Sequence, residues 1–398
     1  MSIVLDMYAS AGVGAVALLL GMLFTRKIAF LKRLCIPAPV SGGLVISLLT
    51  LLLYILFGIE CKFDGTVKDF CMMVFFTSVG FQCDMKELRK GGRPLVVLTA
   101  LVAVLIVAQN CISLGIAKGL GVDPLVGMAA DSIPMSGGHG TSGGFAPLLE
   151  QMGLSSAQSV TMAAATFGLV AGSLLGGPLG EALIRRHHLC EPSSSDEVVP
   201  AAKTGKTSHT SSVEYLKGAC ILIIAMALGS GVSKLLALTG VTFPTYFGAL
   251  LAACILRNVF GLFPKWASKL SVGEVGSIGD VCLQLFLGMA MASLRLWELA
   301  SLALPLTLIL AAQVAFMALY GAFVAFPLLG RSYDSAVMVS GLCGFGLGAT
   351  PNAMANMSAV CYKYRYAVNP FIVVPIIGAM FLDIINTGVI TLFLNLIH

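Results

Sequence analysis

Charge is what this 398-residue chain has least of. Asp, Glu, Lys and Arg make up 11% of it, under half of the roughly 25% usual in soluble domains. With a mean hydropathy of +0.94, that scarcity excludes a soluble globular protein. No basic patch is interleaved with aromatics, so nucleic acid is not an expected partner. The 11 cysteines form no Cys-x-x-Cys and lie scattered through apolar segments. Neither a disulfide framework nor a zinc site is expected; small buried side chains are the default. Also lacking is a basic stretch before the first apolar segment. Asp6 is the only charge ahead of Arg26, so that segment reads as a span rather than a cleaved signal.

What the chain has is a series of apolar runs near the ~20 residues that cross a bilayer. Spans are expected over 4–24, 38–57, 67–83, 95–117 and 157–184, and again over 216–238, 245–262, 276–294, 302–329 and 368–396. A polar stretch rich in Ser, Thr, Lys and Pro, 191–215, divides the series into 1–190 and 216–398 and reads as a cytoplasmic linker. The halves align: a shift of 211 pairs Pro94 with Pro305, Asp123 with Asp334 and Gly137 with Gly348. The expected fold is an all-α polytopic membrane protein of two inverted five-span repeats, each with a re-entrant broken-helix hairpin.

Those hairpins are the organising feature. In 123–152 lies Asp131-Ser-Ile-Pro-Met-Ser-Gly-Gly-His-Gly-Thr-Ser-Gly-Gly144; in 334–360 lies Gly344-Phe-Gly-Leu-Gly-Ala-Thr-Pro-Asn352. Proline and clustered glycine forbid a continuous helix. In hydrocarbon, broken backbone is tolerated only where protein buries it or water reaches it. Thr350-Pro351 reads as N-cap and first residue of a second half-helix, and Thr141 to Gly144 as the matching start in the first hairpin. Such N-termini suit carboxylates; the free carbonyls that end the first half-helices suit a small hard cation.

Basic residues are expected on the cytoplasmic side. With the N-terminus outside, that side holds Arg26, Lys27, Lys32, Arg33, Lys86, Arg89, Lys90, Arg93, Arg185, Arg186, Lys203, Lys206, Lys217, Arg257, Lys265, Lys269, Arg331, Lys363 and Arg365. Only Lys62, Lys68, Lys118, Lys234 and Arg295 remain outside. Both termini are therefore expected outside.

Asp383 falls mid-span, with Asn386 and Thr387 on its face. A carboxylate at that depth costs about 2.5–3.5 kcal/mol and needs a partner or a function. Cation coordination, pairing with a substrate ammonium and a bond to a neighbouring helix all fit. Asp131 is similar, while Asp280 reads as solvated or capping. His139 fits a proton carrier, a donor to substrate or a packing residue. Thr77, Ser78, Gln109, Asn110 and Gln313 read as interhelical hydrogen-bonding groups.

Ser136-Gly-Gly-His-Gly-Thr141, Ala164-Ala-Thr-Phe-Gly-Leu-Val170, Leu296-Trp-Glu-Leu-Ala-Ser-Leu-Ala-Leu-Pro305, Cys343-Gly-Phe-Gly-Leu-Gly-Ala-Thr-Pro351 and Ala355-Asn-Met357 resemble the bacterial sodium/glutamate symporter family over nearly the whole chain. The resemblance implies ten spans, an inner-membrane location, sodium-driven uptake of L-glutamate, a homodimer and an elevator motion of the hairpin-bearing part. The reading of the tips and of the buried carboxylates puts the expected substrate contacts at Ser136, Gly137, Gly138, His139, Gly140, Thr141, Gly348, Thr350, Asn352 and Asn356, and the expected Na+ contacts at Asp383, Asn386, Gly346 and Asp131. Three departures stand out. Asp131 replaces a small residue, Ser142-Gly-Gly-Phe145 a more helix-prone run, and Asn352 a threonine. A related dicarboxylate symporter, or an aquaporin-like channel with two inverted loops, is the alternative, although channel loops carry near-identical motifs and these differ. An acid–base enzyme using His139 and Asp131 lacks any further catalytic group.

Overall fold

The computed structural model describes residues 2–29, 31, 36–84, 92–189, 212–238, 243–262 and 271–397. The linker, apart from its last residues, lies outside them, as do Lys32, Arg33, Lys86, Arg89, Lys90, Lys203, Lys206, Lys265, Lys269 and His398. The first half contains α1 (Met7–Lys27), α2 (Ala38–Phe57), α3 (Thr66–Gln82), α4 (Gly92–Gly119), α5 (Pro124–Met128), α6 (Ser132–Met135), α7 (Gly138–Gln151) and α8 (Ala157–Arg186). The second contains α9 (Ser212–Ala237), α10 (Phe247–Gly261), α11 (Val272–Ala292), α12 (Ala303–Leu328), α13 (Tyr333–Gly346), α14 (Thr350–Lys363) and α15 (Val368–Ile397). Local chemistry sets several ends. The Asp6 carboxylate accepts the Ala9 N–H at 2.8 Å and starts α1. Pro39 sits in the first turn of α2, where a missing N–H is no loss. Gly58, at φ 61°, closes that helix in the left-handed region.

Among the described residues, eight helices are long and apolar enough to cross a bilayer: α1, α2, α4, α8, α9, α11, α12 and α15. The other two expected spans, α3 and α10, have 17 and 15 residues. They pack on each other, with Gly80 of α3 against the Leu250 carbonyl of α10. Protein therefore covers part of what lipid would otherwise have to match. The all-α expectation also misses a pair of parallel four-residue strands, β1 (Ser2–Leu5) and β2 (Glu60–Phe63). Strands this short leave no periodic signal, and the α1–α2 hairpin supplies the crossover that parallel pairing needs.

Packing is reciprocal between the halves. The α1–α2 pair lies on α11, and the α9–α10 pair lies on α3. α3 packs on α11, and α4 on α12. α8 packs on α13 and α14, while α15 packs on α5 and α6. α4 and α12 begin at Gly92 and Ala303, matching the shift read from the sequence. Close approach depends on glycine at equivalent places. A side chain on Gly42 would strike the Ala17 carbonyl of α1, and one on Gly248 would strike Ser233 of α9.

Two groups of helices result. One is α1–α3 with α9–α11; the other is α4–α8 with α12–α15, and few elements bridge them. Within the second group every residue of α13 except Asp334 is buried, as suits a helix that is apolar on all faces. The Tyr333 hydroxyl donates to the Arg365 carbonyl at 2.5 Å. The start of α13 thus meets the end of α14.

Candidate functional site

The first broken stretch contains two interruptions rather than the single tip expected. The first falls at Ala129–Asp131. There one Asp131 oxygen accepts the Ile133 N–H at 2.7 Å and caps α6. Pro134 is the third residue of that short helix, within the first turn where proline is tolerated. The second falls at Ser136–Gly137, and α7 begins at Gly138, φ 61°. The helix start is thus Gly138–Thr141 and not Thr141–Gly144. Gly143 and Gly144 lie inside the helix, where rings occupy the space side chains would take, Phe286 at Gly143 and Tyr246 at Gly144.

The second broken stretch has one interruption, Leu347–Ala349, between α13 and α14. Ala349, at φ −160°, holds the N-cap position, with Thr350 and Pro351 as the first two helical residues. The Thr350 cap is therefore displaced by one residue. Ala349 has no side chain that can cap the helix, and Thr350 lines a cavity.

The two tips meet. A Cβ on Gly138 would come within 2.7 Å of the Gly348 carbonyl oxygen. The Ser136 hydroxyl donates to Gln109 Oε1 at 2.7 Å, and the Gln109 amide donates to the Gly346 carbonyl at 2.8 Å. One cavity of about 350 Å³ is lined by both tips. Ser136 to Thr141, Gly348 to Pro351, Leu169, Gly378, Leu382 and Asp383 form one wall; Pro37, Phe75, Val79, Gln82, Asp280, Leu283, Gln284 and Leu287 form the other. These walls belong to the two helix groups, so the cavity lies along the seam between them. Helix N-termini leave their first N–H groups without intrahelical partners, and both α7 and α14 begin at this wall. Asp383 brings a carboxylate to the wall that holds the tips, and the Thr141 hydroxyl donates to it at 3.4 Å.

Nine of the fourteen residues picked from the sequence line the cavity: Ser136, Gly137, Gly138, His139, Gly140, Thr141, Gly348, Thr350 and Asp383. Five do not. Asn352 donates to the Leu169 carbonyl at 2.8 Å, and Asn356 to the Gly172 carbonyl at 2.9 Å, so both fasten α14 to α8. The Gly346 carbonyl already accepts from the Gln109 amide and is absent from the cavity lining. Asp131 and Asn386 are fully buried behind the first tip. His139 Nε2 lies 3.0 Å from Thr166 Oγ1. That hydroxyl donates to the Met162 carbonyl at 2.9 Å. Thr166 therefore accepts from His139, and the Nε2–H tautomer is fixed.

Sequence reasoning passed over Tyr246. Its ring stacks on Phe76 at 3.7 Å between centroids, and its hydroxyl lies 3.4 Å from Thr387 Oγ1. A lone tyrosine beside Pro244 carries no signal of that role. Asp280, read as solvated, is exposed but lies on the cavity wall.

The family model described as "Sodium/glutamate symporter" matches residues 3–366. The chain belongs to the sodium/glutamate symporter family. A curated relative of Escherichia coli (strain K12), named sodium/glutamate symporter, is 41% identical over 98% of each chain. One of Haemophilus influenzae with the same name is 35% identical over 98% of this chain and 97% of its own. Among solved structures, a sodium–proton antiporter of Methanocaldococcus jannaschii aligns over 99% of this chain and 98% of its own, with 14% identity and a TM-score of 0.42. As a member of a symporter family, the chain is a multi-pass membrane transporter and not an enzyme.

Proposed function

We propose that this symporter carries glutamate across the bacterial inner membrane together with sodium, by alternating access around the cavity between the two tips. The observation that carries this reading is the cavity itself. Two helix N-termini, two threonine hydroxyls and the Asp383 carboxylate converge on it from the tip side, with Asp280 on the opposite wall, in a member of the sodium/glutamate symporter family. Glutamate carboxylates are assigned to the first N–H groups of α7 and α14 and to Thr141 and Thr350. Asp383 meets the cation or the substrate ammonium. A partly desolvated carboxylate there gains from either charge.

The reciprocal packing of α1–α2 on α11 and α9–α10 on α3 supports two inverted repeats, with 123–152 and 334–360 as re-entrant hairpins. An inverted pair has two packings of similar energy. The seam along the cavity favours an elevator motion, with the group holding both hairpins sliding against the group holding α3 and α11. The excess of basic residues on one side supports an orientation with both termini outside. In that orientation the cavity, which reaches Pro37, Gln82 and Asp280, opens to the cytoplasm. Family likeness extends the reading to a homodimer.

The test is uptake of radiolabelled glutamate into proteoliposomes, with and without an inward sodium gradient. Accumulation that requires the gradient and saturates in sodium is expected. Flux that follows glutamate alone, without saturation by sodium, would instead identify a channel or a uniporter.

A further inference from the structure

Five carboxyl or amide oxygens are buried without a hydrogen-bond donor among the described residues: Asn110 Oδ1, Asp131 Oδ2, Gln313 Oε1, Asn352 Oδ1 and Asn386 Oδ1. Four of the five surround one place, the backbone break at Ala129–Asp131. Asn110 of α4 donates to the Ser132 hydroxyl at 2.7 Å and to the Ile106 carbonyl at 2.8 Å. Asn386 of α15 donates to the Ser132 carbonyl at 3.0 Å. Gln313 of α12 donates to the Gln109 carbonyl at 2.9 Å and to Ser113 Oγ at 2.7 Å. The Ser113 hydroxyl donates onward to the Ala130 carbonyl at 3.3 Å.

Each of these amides points its nitrogen at a main-chain carbonyl, which can only accept. Each amide oxygen is therefore turned the other way. Asp131 is fully buried, and no ion pair reaches it among the described residues. An uncompensated buried carboxylate is strongly unfavourable. Every orphan oxygen named here is an acceptor, so the missing partner is a donor or a cation. A water molecule would satisfy two oxygens and leave the charge. One carboxylate with neutral amide oxygens is a donor set for a hard cation of single charge.

We propose that Asp131 Oδ2, with the side-chain oxygens of Asn110 and Asn386 and with Gln313 behind them, forms a buried sodium site inside the hairpin-bearing group, separate from the cavity wall. It rests on the sodium-coupled reading above and deepens it. The site also explains coupling. The Ser132 carbonyl that Asn386 holds also accepts the N–H groups of Ser136 and Gly137, at 3.2 and 3.0 Å. A cation at Asp131 therefore fixes the turn that shapes the first tip, and tip and cation favour each other reciprocally.

The test is equilibrium binding of radioactive sodium to the purified full chain without glutamate, counted per chain. Asp131→Asn is expected to bind one sodium fewer than wild type, with lithium competing at that site and potassium not. Asn110→Leu, which keeps the charge but removes one oxygen, is expected to raise the half-saturating sodium of that site tenfold or more. It carries the test should Asp131→Asn not stay monodisperse. Unchanged count and affinity in either monodisperse variant would overturn the site. So would Asp131→Asn with wild-type sodium binding but an uptake rate that no longer depends on pH, since Asp131 would then hold a proton. Failure of wild-type proteoliposomes to couple glutamate to sodium would count against the transport reading, a separate result.

Discussion

Asp383 carries its carboxylate to the cavity wall with one hydrogen-bond donor among the described residues, the Thr141 hydroxyl at 3.4 Å. Such a long hydrogen bond offsets little of the charge, so a cation gains most of what the site can offer. Asp383→Asn keeps the shape and removes the charge. The sodium needed for half-maximal uptake is expected to rise tenfold or more, about 1.4 kcal/mol. An unchanged sodium dependence in a well-folded variant would reduce Asp383 to a structural bond. Gly138 is constrained in a different way. Its φ is 61°, and an added Cβ would lie 2.7 Å from the Gly348 carbonyl oxygen, which leaves no room for a side chain. Gly138→Ala adds about 1 kcal/mol of backbone strain and forces the tips apart. Uptake is expected to fall at least tenfold while the purified protein stays monodisperse. Wild-type uptake would mean that tip contact is dispensable.

At the scale of elements, the tips are breaks whose exposed backbone is stable only where water or protein partners reach it. Ala349 is half-buried and on the cavity wall, whereas neighbouring Leu347 is fully buried. In a variant without native cysteines, Ala349→Cys should react with a small thiol reagent and Leu347→Cys should not. Glutamate with sodium should slow the reaction at Ala349→Cys at least severalfold, and either alone less, because binding is coupled. Equal reaction at both positions, indifferent to ligand, would argue against a ligand between the tips. Asn352 and Asn356 belong to the other face of α14, four residues apart and both bonded to carbonyls of α8. Their loss should destabilise the α8–α14 contact rather than change substrate affinity.

For the whole molecule, the contacts sort residues onto two sides. Arg295 pairs with Glu60 at 3.4 Å and Lys68 with Gln158 at 3.1 Å on one. Arg257 pairs with Asp84 at 2.7 Å, and Lys363 with Glu181 at 2.6 Å, on the other. In intact cells, Lys62→Cys should be labelled by an impermeant reagent and Tyr362→Cys should not; the reverse would invert the topology. Phe75 of α3 and Gly140 of α7 face each other across the seam, a Cβ on Gly140 lying 3.0 Å from the Phe75 ring. If the two helix groups slide as proposed, joining Phe75→Cys to Gly140→Cys with a short bifunctional reagent should abolish uptake while leaving sodium binding intact. Uptake that survives the cross-link would exclude relative motion at this seam.

The sequence alone determined the helices, their breaks and the family, because apolar length, proline and clustered glycine act locally. Every expected span and both broken stretches fall on helices and interruptions of the fold. Period 3.6 also shows which residues share a face of one helix. It does not show what packs against that face. Thr350 and Asn352 are two residues apart, yet one lines the cavity and the other is covered by α8. Asp131 and Asp383 are both carboxylates in apolar segments, yet one is fully buried beside Ser132, which amides of α4 and α15 hold, and the other faces the seam. Tyr246 lies 141 residues from the Thr387 hydroxyl it meets. Only the tertiary structure decides such pairings, because they depend on how distant helices dock, and a local pattern carries no information about its neighbour.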